Sequence, residues 1–197
     1  MCSGRVDILH VFEGFQAGAD GVLVGGCKLG ECKYSEGNLQ ALVMAEVVRT
    51  LMQLIKLDLR RFKLSWLSAA EPNKLVDTIK SFTDELRELG PIGEAEGISK
   101  EELNFYLENV VKVCKDKQVR AIYGNIAKEL KKTKDFNEET IAKKVEQKLG
   151  KLLKDKLYEY EIRELVKEGP KSVDVLQEKT GASIEDIEKI LNKLKKA

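Results

Sequence analysis

The chain of 197 residues has one histidine, one tryptophan and almost no net charge, +1 from 34 Lys+Arg against 33 Asp+Glu. So close a balance leaves no global field to draw in nucleic acid or an anionic membrane. The lone histidine, His10, stands between Leu9 and Val11 with no nucleophile placed beside it, so it receives no general-base role. A membrane-spanning run is also missing. The most apolar window, Leu39 to Leu57, is interrupted by Glu46 and Arg49 and reads as a buried amphipathic helix. No basic stretch leads into a short apolar run at the amino terminus, so the expected setting is the cytoplasm. Gly21, Gly25 and Gly26 do not make a complete dinucleotide fingerprint, because a cysteine-bearing loop follows them where a helix is required. Nicotinamide binding is rejected on that ground.

What is present is enough apolar content for a core, 43% of the residues, and an uneven distribution of everything else. Residues 1–97 carry net charge −3 with most of the glycines, the tryptophan and three of the four cysteines. Residues 98–197 carry +4 and are almost continuous Lys/Glu/Leu helix former. The composition places a boundary at Gly90-Pro91-Ile92-Gly93, giving an α/β domain over 1–91 and a helical extension over 98–197.

In the first part, Asp7 caps a helix that Gly18 ends, and Gly21 to Gly26 reads as a buried strand of a parallel sheet. A loop from Cys27 to Asn38 leads to a helix at Leu39 to Leu57. A second strand near Arg61 to Ser68 and a helix at Pro72 to Leu89 follow. Two strands are too few for a stable sheet, so a further strand is expected before Met1-Cys2-Ser3-Gly4-Arg5 or from a partner.

Beyond Gly97, helices are predicted at Ser99 to Lys117, with Ser99 and Glu102 as a capping box, at Val119 to Lys132 and at Glu138 to Glu168. Residues 160–197 then have helix-turn-helix spacing: the end of that helix, Lys171 to Lys179, the turn Thr180-Gly181-Ala182, and Ser183 to Lys196.

Four cysteines in a reducing compartment, three of them within the first 32 residues, favour a metal or redox role over disulfides. Cys27 and Cys32 form C-x4-C, a spacing that ferredoxins use for a 2Fe-2S cluster, with Gly30 allowing the loop to wrap it. Two buried thiols packing as small apolar groups is the alternative the spacing leaves open. Cys2 supplies a third thiolate if its turn lies at the same sheet edge. Cys114, among Val111, Val113 and Val119 in a predicted helix, reads as a core thiol.

The strings CSGRVD at Cys2 to Asp7, GADGVLVGGC at Gly18 to Cys27 and GECKYSEGN at Gly30 to Asn38 closely resemble the delta subunit of methyl-viologen-reducing hydrogenase. So does the SW-x-SA-x-E pattern from Ser65 to Glu71, and the resemblance runs to Leu89-Gly90-Pro91. It implies a small, flavodoxin-like, non-catalytic 2Fe-2S electron-transfer subunit. Such a protein relays electrons between a hydrogenase or formate dehydrogenase and the flavin-containing subunit of heterodisulfide reductase in an electron-bifurcating complex. Carried over, Cys2, Cys27 and Cys32 match the family's cysteines. Arg5 and Asp7 match the polar positions of its first motif.

Two departures stand out. Lys28 and Lys33 follow the loop cysteines where the family usually has histidine, and positive charge there should raise a cluster's reduction potential. Family members also begin earlier, with a strand and further cysteines, so the expectation is that the front half and a fourth ligand come from elsewhere.

The competing reading is a redox-sensing iron-sulfur transcription regulator that uses the terminal triplet. Charge opposes it. The helix expected to meet DNA begins with Glu185, Asp186 and Glu188, while Lys193, Lys195 and Lys196 lie at its far end. The triplet is read as a docking module for another protein of the complex.

Overall fold

A computed structural model of the chain describes residues 2–68, 70–133, 135–167 and 169–195. Met1, Ala69, Glu168 and Lys196, on which parts of the sequence reading fall, lie outside the described residues.

Helix α1 (Ile8–Gln16) starts where expected: the Asp7 carboxylate accepts a hydrogen bond from the Leu9 N–H at 3.0 Å. Its Ile8, Val11, Phe12 and Phe15 are buried. Strand β1 (Val22–Gly26), helix α2 (Gly37–Leu54) and strand β2 (Phe62–Trp66) form a β-α-β unit, the strands pairing parallel from Val22 opposite Phe62 to Gly26 opposite Trp66. Among the described residues the sheet has these two strands, which makes the fold mostly helical with a small parallel sheet. Helix α3 (Pro72–Leu89) follows, its carboxyl-terminal half packed down through Phe82 and Leu89.

The carboxyl-terminal part comprises α4 (Lys100–Lys115), α5 (Lys117–Thr133), α6 (Glu138–Val145), α7 (Lys151–Lys167), α8 (Val173–Thr180) and α9 (Ile184–Leu194). The capping box at Ser99 and Glu102 is present with both of its hydrogen bonds. Where the sequence predicts one helix from Glu138 to Glu168, a π-helical turn at Glu146–Gly150 separates α6 from α7. The backbone stays right-handed helical at both joints, so periodicity alone does not reveal the extra residue in the turn.

One core joins side chains of α1, α2 and β2 to Leu103, Leu107, Val110, Ile126, Leu149 and Leu157. Arg61, 0% exposed, fastens the connector between the two parts: it donates to the Gly90 and Pro91 carbonyls and pairs with Glu96 at 2.6 Å. A second, smaller core holds Ile162, Leu165, Leu176, Ala182 and Ile187 under α7, α8 and α9.

Glu161 sits on α7 between these cores, 2% exposed, and burial alone pushes its carboxyl up to about 8 from the ordinary 4.5. The folded state therefore holds the proton more tightly than the unfolded chain does. Stability should fall as pH rises through the window from 4.5 to about 8 and then level off. Glu161→Gln should remove that slope and raise stability at pH 8.5 by roughly a few kcal/mol. Thermal melts of both chains at pH 6 and pH 8.5 check this; parallel loss in the two would refute it.

Candidate functional site

The site lies where the chain passes from β1 into α2. After Gly26 the loop runs through Cys27 and Cys32 to the first turn of α2, and its course is fixed by Asn38. That residue is 1% exposed, and its Nδ2 donates to the carbonyls of Cys27 at 3.2 Å and Lys28 at 2.7 Å. Lys28 Nζ also meets Glu71 Oε2 at 2.6 Å, tying the loop to the start of α3. The hydrogen bond to Glu71 raises the Lys28 ammonium's pKa and lowers the carboxyl's. Of the two lysines expected to place positive charge beside the cysteines, Lys28 is thus engaged by a carboxylate.

Across the loop, Cys2 opens a single 3-10 turn, Ser3–Arg5, closed by the Arg5 N–H on the Cys2 carbonyl at 2.9 Å. The turn presses against the start of α2 at two glycines. A β-carbon on Gly4 would overlap the Gly37 backbone, and one on Gly37 would overlap Cys2 Sγ and stand 3.3 Å from Cys32 Sγ. With neither β-carbon present, Cys2 Sγ and Cys32 Sγ come within 3.6 Å.

Burial of Cys32 acts to raise its thiol. The N–H groups of Tyr34, Asn38 and Gly37 and the Cys2 thiol outweigh that and lower it. This is the expected effect of backbone donors at a helix start on a sulfur anion. Ser3 Oγ, in this turn, is buried and has no hydrogen-bond partner among the described residues.

The structure therefore brings together Cys2 and Cys32, 30 residues apart, while Cys27 is exposed on the loop. Among the described residues no group of three or more His, Cys, Asp or Glu side chains is close enough to hold a metal. Cys114 is fully buried in α4 and its thiol is pushed up by burial. Trp66 packs against the first core.

Sequence reasoning missed Asn38 and Lys131. Asn38 carries a signal, an amide at the junction of loop and helix, whereas Lys131 is one lysine among many until α5 is folded against α2. There it pairs with Glu36 at 3.2 Å and, with Cys2, Arg5, Tyr34, Gly37 and Gln40, lines a cleft of about 530 Å³.

A family model described as methyl-viologen-reducing hydrogenase, delta subunit, matches residues 1–90. An iron-sulfur protein of the vhu F420-non-reducing hydrogenase from Methanocaldococcus jannaschii is 37% identical over 90 residues, which are 46% of this chain and 67% of that protein. The chain belongs to the hydrogenase delta-subunit family. The iron-sulfur protein of an F420-non-reducing hydrogenase from Archaeoglobus profundus is 40% identical over 90 residues, 46% of this chain and 66% of that protein. One component of the ferredoxin:CoB-CoM heterodisulfide reductase from Methanosarcina mazei is 44% identical over 93 residues, 47% of this chain, and the match spans 12% of that relative's length.

The delta-subunit match ends at the connector, so α4 to α9 lie beyond it. Both Cys2 and Cys32 are inside the delta-subunit region, and Lys131 is outside it. In the terminal triplet Ser172 and Ser183 cap α8 and α9, and Gly181 makes the left-handed turn at φ 69°. Lys193 pairs with Glu159 of α7 at 2.8 Å, so this cation is turned toward the protein, and Glu185 and Asp186 occupy the first turn of α9. Among the described residues no helix is long and apolar enough to cross a membrane.

Proposed function

We propose that this delta-subunit relative is a cytoplasmic electron-transfer subunit. In this reading Cys2, Cys27 and Cys32 are cysteine ligands of a 2Fe-2S cluster whose fourth ligand comes from elsewhere. The observation that carries it is the Cys2 and Cys32 pair at the start of α2, 3.6 Å apart. Two thiolates on one tetrahedral metal with bonds of about 2.3 Å stand about 3.8 Å apart, so the pair needs little movement to share an iron. The chain supplies an anion-stabilising helix start and, at Ser3 Oγ, a buried hydroxyl with no partner among the described residues.

A bound cluster would supply one-electron chemistry. The protein's own part is to hold the thiolates, with Cys2 and Cys32 half-buried at the start of α2 and Cys27 on the exposed loop. The electron partners under this reading are a hydrogenase or formate dehydrogenase on one side and the flavin-containing subunit of heterodisulfide reductase on the other. Electron bifurcation would belong to that assembly and not to this chain.

Anaerobically purified protein should show charge-transfer absorption, acid-labile sulfide and, once reduced, an EPR signal. Cys2→Ser, Cys27→Ser and Cys32→Ser should each abolish iron retention, whereas Cys114→Ser should retain it. Iron-free, colourless protein isolated together with its partner subunits would sink the proposal. Equal iron loss on replacing Cys114 would overturn the ligand set.

A further inference from the structure

The turn that follows Cys2 carries a polar group that packing leaves unexplained. Ser3 is 7% exposed, and its Oγ is buried with no hydrogen-bond partner among the described residues. Its backbone is accounted for, since the Ser3 carbonyl accepts the Val6 N–H at 3.0 Å. A buried hydroxyl left unpaired lowers stability, and alanine at the same place would avoid that cost. The fold alone therefore gives no reason for an oxygen here.

The position of the hydroxyl supplies one. Ser3 follows Cys2 directly, and its side chain lies against Gly26, the last residue of β1 and the one before Cys27. A β-carbon on Gly26 would stand 2.7 Å from Ser3 Oγ and 2.8 Å from the Trp66 ring. Glycine at that position leaves the room the hydroxyl occupies, and Trp66, opposite Gly26 in the strand pairing, closes the same space. The hydroxyl is thus one residue along the chain from Cys2 and packed on the residue that precedes Cys27, two of the three cysteines assigned to the cluster. The N–H donors of Tyr34, Gly37 and Asn38 serve Cys32. Ser3 brings a further donor to the same site, one that no protein acceptor among the described residues takes up.

We infer that the Ser3 hydroxyl donates a hydrogen bond to a sulfur of the bound cluster or of its thiolates, and thereby raises the reduction potential of the centre. The inference deepens the electron-transfer reading and rests on it. Its physical basis is charge. Reduction adds one electron to a centre that thiolates already make anionic, so a hydroxyl dipole aimed at sulfur stabilises the reduced form more than the oxidised one. Burial keeps water from screening that dipole. The hydroxyl retains its proton in both oxidation states, so no proton transfer accompanies the electron.

The test uses the full chain with its cluster, kept anaerobic, and reads the midpoint potential in a redox titration followed by EPR. Ser3→Ala should keep the parent's iron content and shift the one-electron equilibrium roughly tenfold toward the oxidised form, a fall of about 59 mV in midpoint potential. Ser3→Thr keeps the hydroxyl and should stay near the parent's potential. An unmoved potential in iron-loaded Ser3→Ala would overturn the inference. So would an equal fall in Ser3→Ala and Ser3→Thr, because packing and not the hydroxyl would then set the value. Should Ser3→Ala lose iron, retention by Ser3→Thr would assign the loss to the missing hydroxyl, and loss by both would refute its role. Parent protein without a cluster would sink the electron-transfer reading itself, whereas an unmoved potential in loaded Ser3→Ala leaves that reading standing.

Discussion

Replacing Gly37 by valine should strip the chain of iron and leave it folded. Gly37 is the first residue of α2, and the β-carbon position it leaves empty overlaps Cys2 Sγ and lies 3.3 Å from Cys32 Sγ. Any side chain there must push one sulfur out of the pair. Cys2 is the one to move, since it sits on a single 3-10 turn, whereas Cys32 is held by backbone donors of the loop and of α2.

The helix itself loses nothing: alanine at such a position is favoured over glycine by roughly 0.5–1 kcal/mol in chain entropy. Two readouts therefore move in different directions. In Gly37→Ala, iron per chain should drop several-fold while the melting temperature holds or rises; in Gly37→Val, iron should approach zero. Gly124→Ala, at a site with nothing within 4 Å, should change neither the iron nor the fold. Full iron in Gly37→Val would mean that Cys2 and Cys32 do not bind as a close pair.

Local signals are legible in the sequence because each rests on a few neighbouring residues. Asp7 before an apolar helix face, Ser99 three residues ahead of Glu102, and Pro72 at the first position of α3 all do in the structure what their chemistry dictates. The loop from Cys27 onward is legible for the same reason, since its glycines and polar residues suit neither helix nor strand.

The arrangement of sulfurs is not legible. The spacing C-x4-C draws attention to Cys27 and Cys32, whereas the close pair is Cys2 and Cys32. What decides this is the crossing of the first turn over the start of α2 at Gly4 and Gly37, a contact between segments 33 residues apart in sequence that no local pattern encodes. Similarly, composition changes at Gly90 to Gly93, but composition carries no information about Arg61. That side chain ties the same stretch to β2 and to the Asp20 carbonyl at 3.1 Å.

Arg61 is the point at which the fold should be most vulnerable. Its guanidinium is 0% exposed, donates to the carbonyls of Asp20, Gly90 and Pro91, and meets both oxygens of Glu96, itself 4% exposed. Burial of Glu96 acts to raise its carboxyl, but the Arg61 and Asp58 hydrogen bonds hold it below the ordinary range. Its contribution is therefore present at neutral pH and fades as pH falls below the ordinary 4.5.

Arg61→Met leaves a buried carboxylate without its cation and takes one donor from each of three carbonyls, of which that of Pro91 keeps the Glu94 N–H, an effect of about 3–5 kcal/mol for breaking one side of a buried pair. Glu96→Gln keeps the shape and the carbonyl contacts, so it should cost about half as much. The double variant Arg61→Met with Glu96→Met should be more stable than Arg61→Met alone, because no uncompensated charge remains buried. Urea unfolding of the full chain at pH 7 measures all three. The loss should appear in one transition that includes α4 and α5, because these helices share the core of α1 and α2. If α1 and α2 instead unfolded separately from α4 and α5, the connector would be joining two independent cores. Lys131 would then be supported over the cysteine cleft by the Glu36 ion pair alone.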